Sequence, residues 1–136
     1  MKTAKSILLT VFVMLFVFAA SAETLQNNKT EGAKTEVYYF HNTRRCPTCL
    51  AIEKVTKEVL EEQPYASAKK NGELLFKSYN AEDSANKKLV KKMGVTGSAL
   101  IVVKGDKKTD LTSKGFMYAL KQPEKLQEAL RKALND

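Results

Sequence analysis

The only two cysteines of this 136-residue chain have two residues between them, as Cys46-Pro47-Thr48-Cys49. This spacing constrains the fold more than any other feature. Residues 36–41 before them are β-branched and aromatic, which predicts a buried strand, and the residues after them have helical periodicity. A Cys-x-x-Cys that follows a strand and opens a helix within a β-α-β pattern is typical of a thiol redox site. Pro47 presets φ for the first helical turn, across which two sulfurs at this spacing can bond.

The two thiols have different predicted environments. Cys46 stands at the start of the helix, where unpaired N–H groups and the helix dipole favour a thiolate, and Arg44 and Arg45 add positive charge beside it. Cys49 precedes Ile52 by three residues on the apolar helix face, so its sulfur should be buried. We therefore expect Cys46 to be the attacking thiol and Cys49 the resolving thiol of a reversible disulfide.

Other interpretations of the cysteine pair stay open at this stage. An inert structural disulfide is disfavoured, because so short a ring constrains the unfolded chain little. The pair could bind a metal or metalloid, with His41 as a third ligand and an outside group as the fourth. A redox-inert adaptor that uses the same scaffold for protein contacts is the third alternative. The redox interpretation requires no cofactor.

The N-terminus has the pattern of a secretory signal peptide. Lys2 and Lys5 precede the apolar run of residues 7–19, and Ala20-Ser21-Ala22 supplies small residues before Glu23. The run is shorter than the ~20 residues that span a bilayer, so cleavage after Ala22 is favoured over a membrane anchor. We expect a signal peptide over 1–22, a flexible leader over 23–35, one domain over 36–136, and a periplasmic or secreted mature protein.

The rest of the chain predicts an α/β domain with the element order β-α-β-α-β-β-α. Its alternating first half requires parallel strands, and its Gly105 turn requires a hairpin, which together give a mixed sheet with helices on both faces. Predicted strands after the first span residues 74–80, 99–103 and 108–112. The first predicted helix spans residues 47–62, and a short helical turn runs from Pro64 to residue 71. A further helix runs from Asp83 or Ser84 to Met93. The last helix begins at Pro123, and its apolar face is formed by Leu126, Ala129, Leu130, Ala133 and Leu134.

The formal net charge of +8 does not by itself indicate nucleic-acid binding, because the basic residues are dispersed over helix faces. We expect the partners to be protein thiols and disulfides, with contact to a membrane only through the signal peptide before cleavage. A reducing role would need electrons from a membrane partner. We expect a monomer.

The element order and Cys46-Pro47-Thr48-Cys49 resemble the thioredoxin superfamily over roughly residues 36–136. Residues 37–59 (VYYFHNTRRCPTCLAIEKVTKEV) more narrowly resemble small exported proteins of the nitrophenyl compound nitroreductase subunit ArsF family. The first resemblance implies thiol–disulfide exchange. The second implies an association with nitroarene or arsenic metabolism.

Three positions depart from the thioredoxin pattern. Phe40 stands where a buried acid relays protons, Arg45 where a tryptophan precedes the first cysteine, and Ser98 where a cis-proline faces the disulfide. The loss of the acid should slow deprotonation of Cys49. The loss of the proline should open space beside Cys46 and change the surface that pairs with a substrate backbone, and the Gly97–Ser98 bond should be trans.

Overall fold

A computed structural model of the chain describes residues 34–136. The predicted signal peptide and residues 23–33 of the predicted leader lie outside this range. The strands are β1 (Thr35–His41), β2 (Leu74–Asn80), β3 (Ala99–Lys104) and β4 (Lys107–Asp110). The helices are α1 (Pro47–Leu60), α2 (Tyr65–Asn71), α3 (Lys87–Met93), α4 (Thr112–Tyr118) and α5 (Pro123–Asn135), and a 3₁₀ turn (Ser84–Asn86) precedes α3.

The four strands form one mixed sheet in the order β2-β1-β3-β4. β1 pairs in parallel with β2, from Thr35 opposite Leu74 to His41 opposite Asn80, so α1 and α2 lie in the crossover between them. β3 runs antiparallel to both β1 and β4. Gly105, at φ 57°, closes the β3–β4 hairpin in a conformation that favours glycine. The predicted α/β class and mixed sheet are confirmed.

Both faces of the sheet are covered, because alternate residues of β1 enter two separate apolar clusters. Val37 and Tyr39 pack with residues of α1 and α5. Tyr38 and Phe40 pack on the opposite face against Met93 at the end of α3. The central strand is therefore buried on both sides, as its apolar sequence predicts.

The segment after β3 differs from its prediction. β4 ends at Asp110 rather than at Thr112, and Thr112 begins α4, a helix that the sequence analysis missed. The Asp110 carboxylate accepts a hydrogen bond from the Thr112 amide at 2.8 Å, and the Thr112 hydroxyl accepts one from the Leu100 amide at 3.1 Å. These two bonds turn the chain out of the sheet and into a helical turn.

Helix α1 ends at Leu60, two residues before its predicted end, with Glu61 as its C-terminal cap. None of the helices formed by residues 34–136 has both the length and the apolar character needed to cross a membrane.

Candidate thiol redox site

The cysteine pair lies at the point where the loop after β1 enters α1. Cys46 is the N-cap of α1 with an extended backbone, and Pro47 occupies the first helical turn. The Cα atoms of Cys46 and Cys49 are 5.0 Å apart, and their sulfurs form a disulfide. The Cys46 sulfur also accepts a hydrogen bond from the Cys49 amide at 3.0 Å. The first turn of α1 therefore directs an N–H donor at the Cys46 sulfur.

The two cysteines differ in exposure. Cys49 is only 6% exposed, whereas Cys46 is half-buried and lies next to exposed Pro47 and half-buried Thr48. A partner can therefore approach the Cys46 sulfur more readily than the Cys49 sulfur. This asymmetry agrees with the roles predicted for the two thiols, which stay predictions.

Arg44 and Arg45 have different surroundings, although both were expected to add charge beside Cys46. Arg44 is exposed, while Arg45 turns back onto α1 and pairs with Glu53. Lys57 binds the same carboxylate at 2.9 Å. Glu53 therefore offsets part of the positive charge that the sequence analysis assigned to Arg45.

The Glu53 side chain is only 12% exposed. Its burial raises the pKa of the Glu53 carboxyl, but hydrogen bonds from Lys57 and Arg45 outweigh burial, and the pKa lies below its ordinary value. Glu53 is therefore ionised near neutral pH, and it holds Arg45 in place.

Tyr39 supports the site from the sheet. Its side chain is fully buried, and its hydroxyl donates a hydrogen bond to the Cys49 carbonyl oxygen at 2.6 Å. The guanidinium of Arg45 lies 5.6 Å from the centre of the Tyr39 ring, within cation–π range. Burial raises the pKa of Tyr39, so the hydroxyl keeps its proton as a donor.

Ser98 approaches the disulfide from the start of β3. Phe40 pairs with Ala99 in the antiparallel β1–β3 ladder. Ser98, which precedes Ala99, therefore lies at the end of the sheet where β1 leads into the loop before the cysteines. Its hydroxyl oxygen is 3.7 Å from the Cys49 sulfur. The serine therefore contacts Cys49, and the expected space beside Cys46 stays a prediction. Among residues 34–136 the single cis peptide bond precedes Pro64, so the Gly97–Ser98 bond is trans, as predicted.

His41 lies at the end of β1, with its Nδ1 3.0 Å from the Asn42 carbonyl oxygen. Within the described part of the chain, no group of three or more histidine, cysteine or acidic side chains is placed to hold a metal ion.

Sequence analysis missed Glu53 and Tyr39 as parts of this site. Glu53 follows Cys49 by four residues on α1, so helical spacing could have placed it on the same side of the helix. Tyr39 alternates with Phe40 on β1, and the strand pattern alone does not reveal which of the two faces α1.

No protein-family model matches the chain, and no curated protein matches it. Among solved structures, it is similar to a chain in the crystal structure of a ferredoxin:thioredoxin reductase and thioredoxin f2 complex. That match has 21% identity, a TM-score of 0.49, and coverage of 78% of this chain and 83% of that one. Thioredoxin f from spinach chloroplast, in its long form, matches with 20% identity, a TM-score of 0.48, and coverage of 76% of this chain and 73% of that one.

The sheet order, the parallel β1–β2 pair and the cysteine pair at the start of α1 together define the architecture. The chain has a thioredoxin-like fold. Within it, the disulfide lies beyond the end of the buried central strand β1, and Cys46 is the more exposed of its two residues.

Proposed function

We propose that the protein is a thiol–disulfide oxidoreductase of thioredoxin-like fold, in which Cys46 exchanges with partner disulfides. The observation that carries this proposal is the disulfide at the start of α1, in which residue Cys46 is half-buried and residue Cys49 is buried. An inert disulfide would need neither this asymmetry nor an N–H donor directed at one sulfur.

The exchange takes place in two steps. The Cys46 thiolate attacks a partner disulfide, a Cys46–partner bond forms, and the partner's other sulfur leaves as a thiolate. The Cys49 thiolate then attacks the Cys46 sulfur, which closes the Cys46–Cys49 disulfide and releases the partner's second thiolate. Two electrons pass from the protein dithiol to the partner disulfide, and the reverse sequence oxidises a partner dithiol.

The proposed partners are proteins. Leu50, the residue after Cys49, is half exposed, and it lines a cavity of about 440 Å³ together with Leu120 from the segment between α4 and α5. Two exposed leucines on one cavity, one of them next to Cys49 in the sequence, suit contact with an apolar stretch of polypeptide. A reducing role would draw electrons from a membrane-bound thiol donor.

The test uses Cys49→Ala, with Cys46→Ala as the matched control. Wild type should catalyse insulin reduction by dithiothreitol. Reduced Cys49→Ala should accumulate a covalent adduct with insulin, seen by non-reducing mass spectrometry, because the resolving thiol is gone. Cys46→Ala should form little adduct, since Cys49 is buried. Equal adducts in both variants, or no catalysis by wild type, would contradict the proposal.

We also propose that the protein is exported and cleaved after Ala22. Lys2, Lys5, the apolar run of residues 7–19 and the small residues before Glu23 support this proposal. N-terminal sequencing of protein from an exporting host should begin at Glu23. Protein that retains Met1 and stays inside the cell would contradict it.

The resemblance of residues 37–59 to the ArsF family supports a second candidate, a role in a nitroreductase or arsenic-related system. The adjacent sulfurs of Cys46 and Cys49 could capture a thiophilic metalloid once they are reduced. Mass spectrometry of the reduced protein with trivalent arsenic should then show one metalloid per chain, lost in either cysteine variant. Absence of that complex would contradict metalloid capture by the cysteine pair.

A further inference from the structure

Cys49 must lose a proton before it can attack, and it is only 6% exposed. Phe40, where the sequence resemblance placed the lost acid, is fully buried in the apolar cluster on the sheet face opposite to α1, so its side chain does not face Cys49. An apolar environment disfavours the thiolate form of a buried cysteine. Some other polar group must therefore offset this cost if Cys49 is to act as the resolving thiol.

Ser98 is the side chain that contacts the Cys49 sulfur. The Ser98 oxygen lies 3.7 Å from that sulfur, and either atom can be the donor. A serine hydroxyl can accept a bond from a thiol and donate one to a thiolate. We infer that the Ser98 hydroxyl donates a hydrogen bond to the Cys49 thiolate and is a catalytic group of the resolving step.

The proton balance of this step is simple. Cys49 releases its proton to water, because a serine hydroxyl does not hold a second proton at neutral pH. The Ser98 O–H then points at the thiolate sulfur until that sulfur bonds to Cys46. This inference rests on the proposed function, since it concerns the release of a partner held by Cys46.

The expected size of the effect follows from the chemistry of thiolates. Loss of a hydrogen bond to an ionised group raises the pKa of that group by about one unit. A rise of one unit lowers the thiolate fraction about tenfold below the pKa, while the intrinsic nucleophilicity rises about threefold. Ser98→Ala should therefore release the partner about threefold more slowly near neutral pH. Above both pKa values it should release the partner about threefold faster.

Other titratable groups near Cys49 are shared by wild type and variant. Cys46 lies in the same helical turn, Glu53 lies one turn further along α1, and its partner Arg45 directly precedes Cys46. Tyr39 reaches the Cys49 carbonyl from β1, and His41 ends that strand. The comparison of variants at each pH removes the contributions of these groups, because Ser98→Ala changes none of them.

The experiment mixes each fully reduced protein with dithiobis(nitrobenzoate) and follows the coloured thiolate by stopped flow. The first phase reports attack by Cys46, and the second, unimolecular phase reports release by Cys49. The variants are Ser98→Ala, Ser98→Thr, which keeps a hydroxyl, and Thr96→Ala, which removes an exposed hydroxyl from the same loop. In parallel, the ultraviolet absorbance of the thiolate gives the pKa of Cys49 in Cys46→Ala, with and without Ser98→Ala.

The inference predicts that the second phase of Ser98→Ala crosses that of wild type as the pH rises, while Ser98→Thr and Thr96→Ala follow wild type. The pKa of Cys49 should rise by about one unit without the hydroxyl. A Ser98→Ala rate that equals wild type, or is lower by the same factor at every pH, would overturn the inference and leave the proposed function intact. A wild type with no second phase would contradict the proposed function. In that case an unchanged pKa of Cys49 would also overturn the role of Ser98.

Discussion

The carboxylate of Glu53 offers a direct test of how the redox site is built. It is largely buried on α1, and it binds both Arg45, which directly precedes Cys46, and Lys57 one turn further along the helix. Glu53→Gln keeps the size of the side chain and one acceptor oxygen but removes the charge. We expect this variant to be less stable than wild type at neutral pH.

The magnitude follows from the exposure of each partner. The Arg45 side chain is 25% exposed, and a hydrogen bond between charged groups in such a position contributes about 1.5–3 kcal/mol, part of which glutamine retains. Lys57 is 57% exposed, so its pair with Glu53 adds only about 0.3–0.5 kcal/mol. Glu53→Gln should therefore lower the free energy of unfolding by about 1–1.5 kcal/mol.

The pH dependence has a defined sign. Because the pKa of Glu53 is lower in the folded than in the unfolded protein, the folded state favours the ionised carboxylate. The stabilisation is fully present above the ordinary carboxyl pKa of about 4 and is lost as the pH falls through the lower, folded-state value. The difference in stability between wild type and Glu53→Gln should therefore shrink in acid.

Urea unfolding of the disulfide form, followed by circular dichroism from neutral to acidic pH, measures this difference. Glu58→Gln is the matched control on the same helix, because Glu58 is 49% exposed and 3.9 Å from its partner Lys54. The control should change the stability by less than about 0.5 kcal/mol. Equal effects of the two substitutions, or a Glu53→Gln difference that persists in acid, would refute this account of the site.

Two further substitutions test the packing around the cysteines. Tyr39→Phe removes the hydroxyl that binds the Cys49 carbonyl oxygen. It should lower the free energy of unfolding by about 1 kcal/mol in the same urea assay. An unchanged urea midpoint would show that this hydrogen bond contributes nothing to stability. Gly115→Ala places a Cβ about 3.0 Å from the Cδ1 atom of buried Ile52, so overpacking should outweigh the better helix propensity of alanine. We expect a net loss of about 1 kcal/mol, and a more stable Gly115→Ala would show that Ile52 can move aside.

The arrangement of the polar groups around the disulfide depended on contacts between distant parts of the chain. The contact of Ser98 with Cys49 joins residues 49 positions apart, and it exists because β3 pairs antiparallel with β1 in one particular register. Arg45 lies next to Cys46 in the sequence, yet its charge is directed to Glu53 once the helix has formed. The start of helix α4 depends in part on the bond between Thr112 and Leu100, which forms only once β3 is in place.

Local sequence was sufficient for the α/β class, the central strand and the start of the redox helix. The apolar run at β1, proline after Cys46 and glycines at turns act through short-range sterics and hydrophobic periodicity, which neighbouring residues determine. Only the tertiary structure decided which side chains contact the two sulfurs. Those contacts depend on strand register and on which helix face is buried, and both are set by packing across the whole domain.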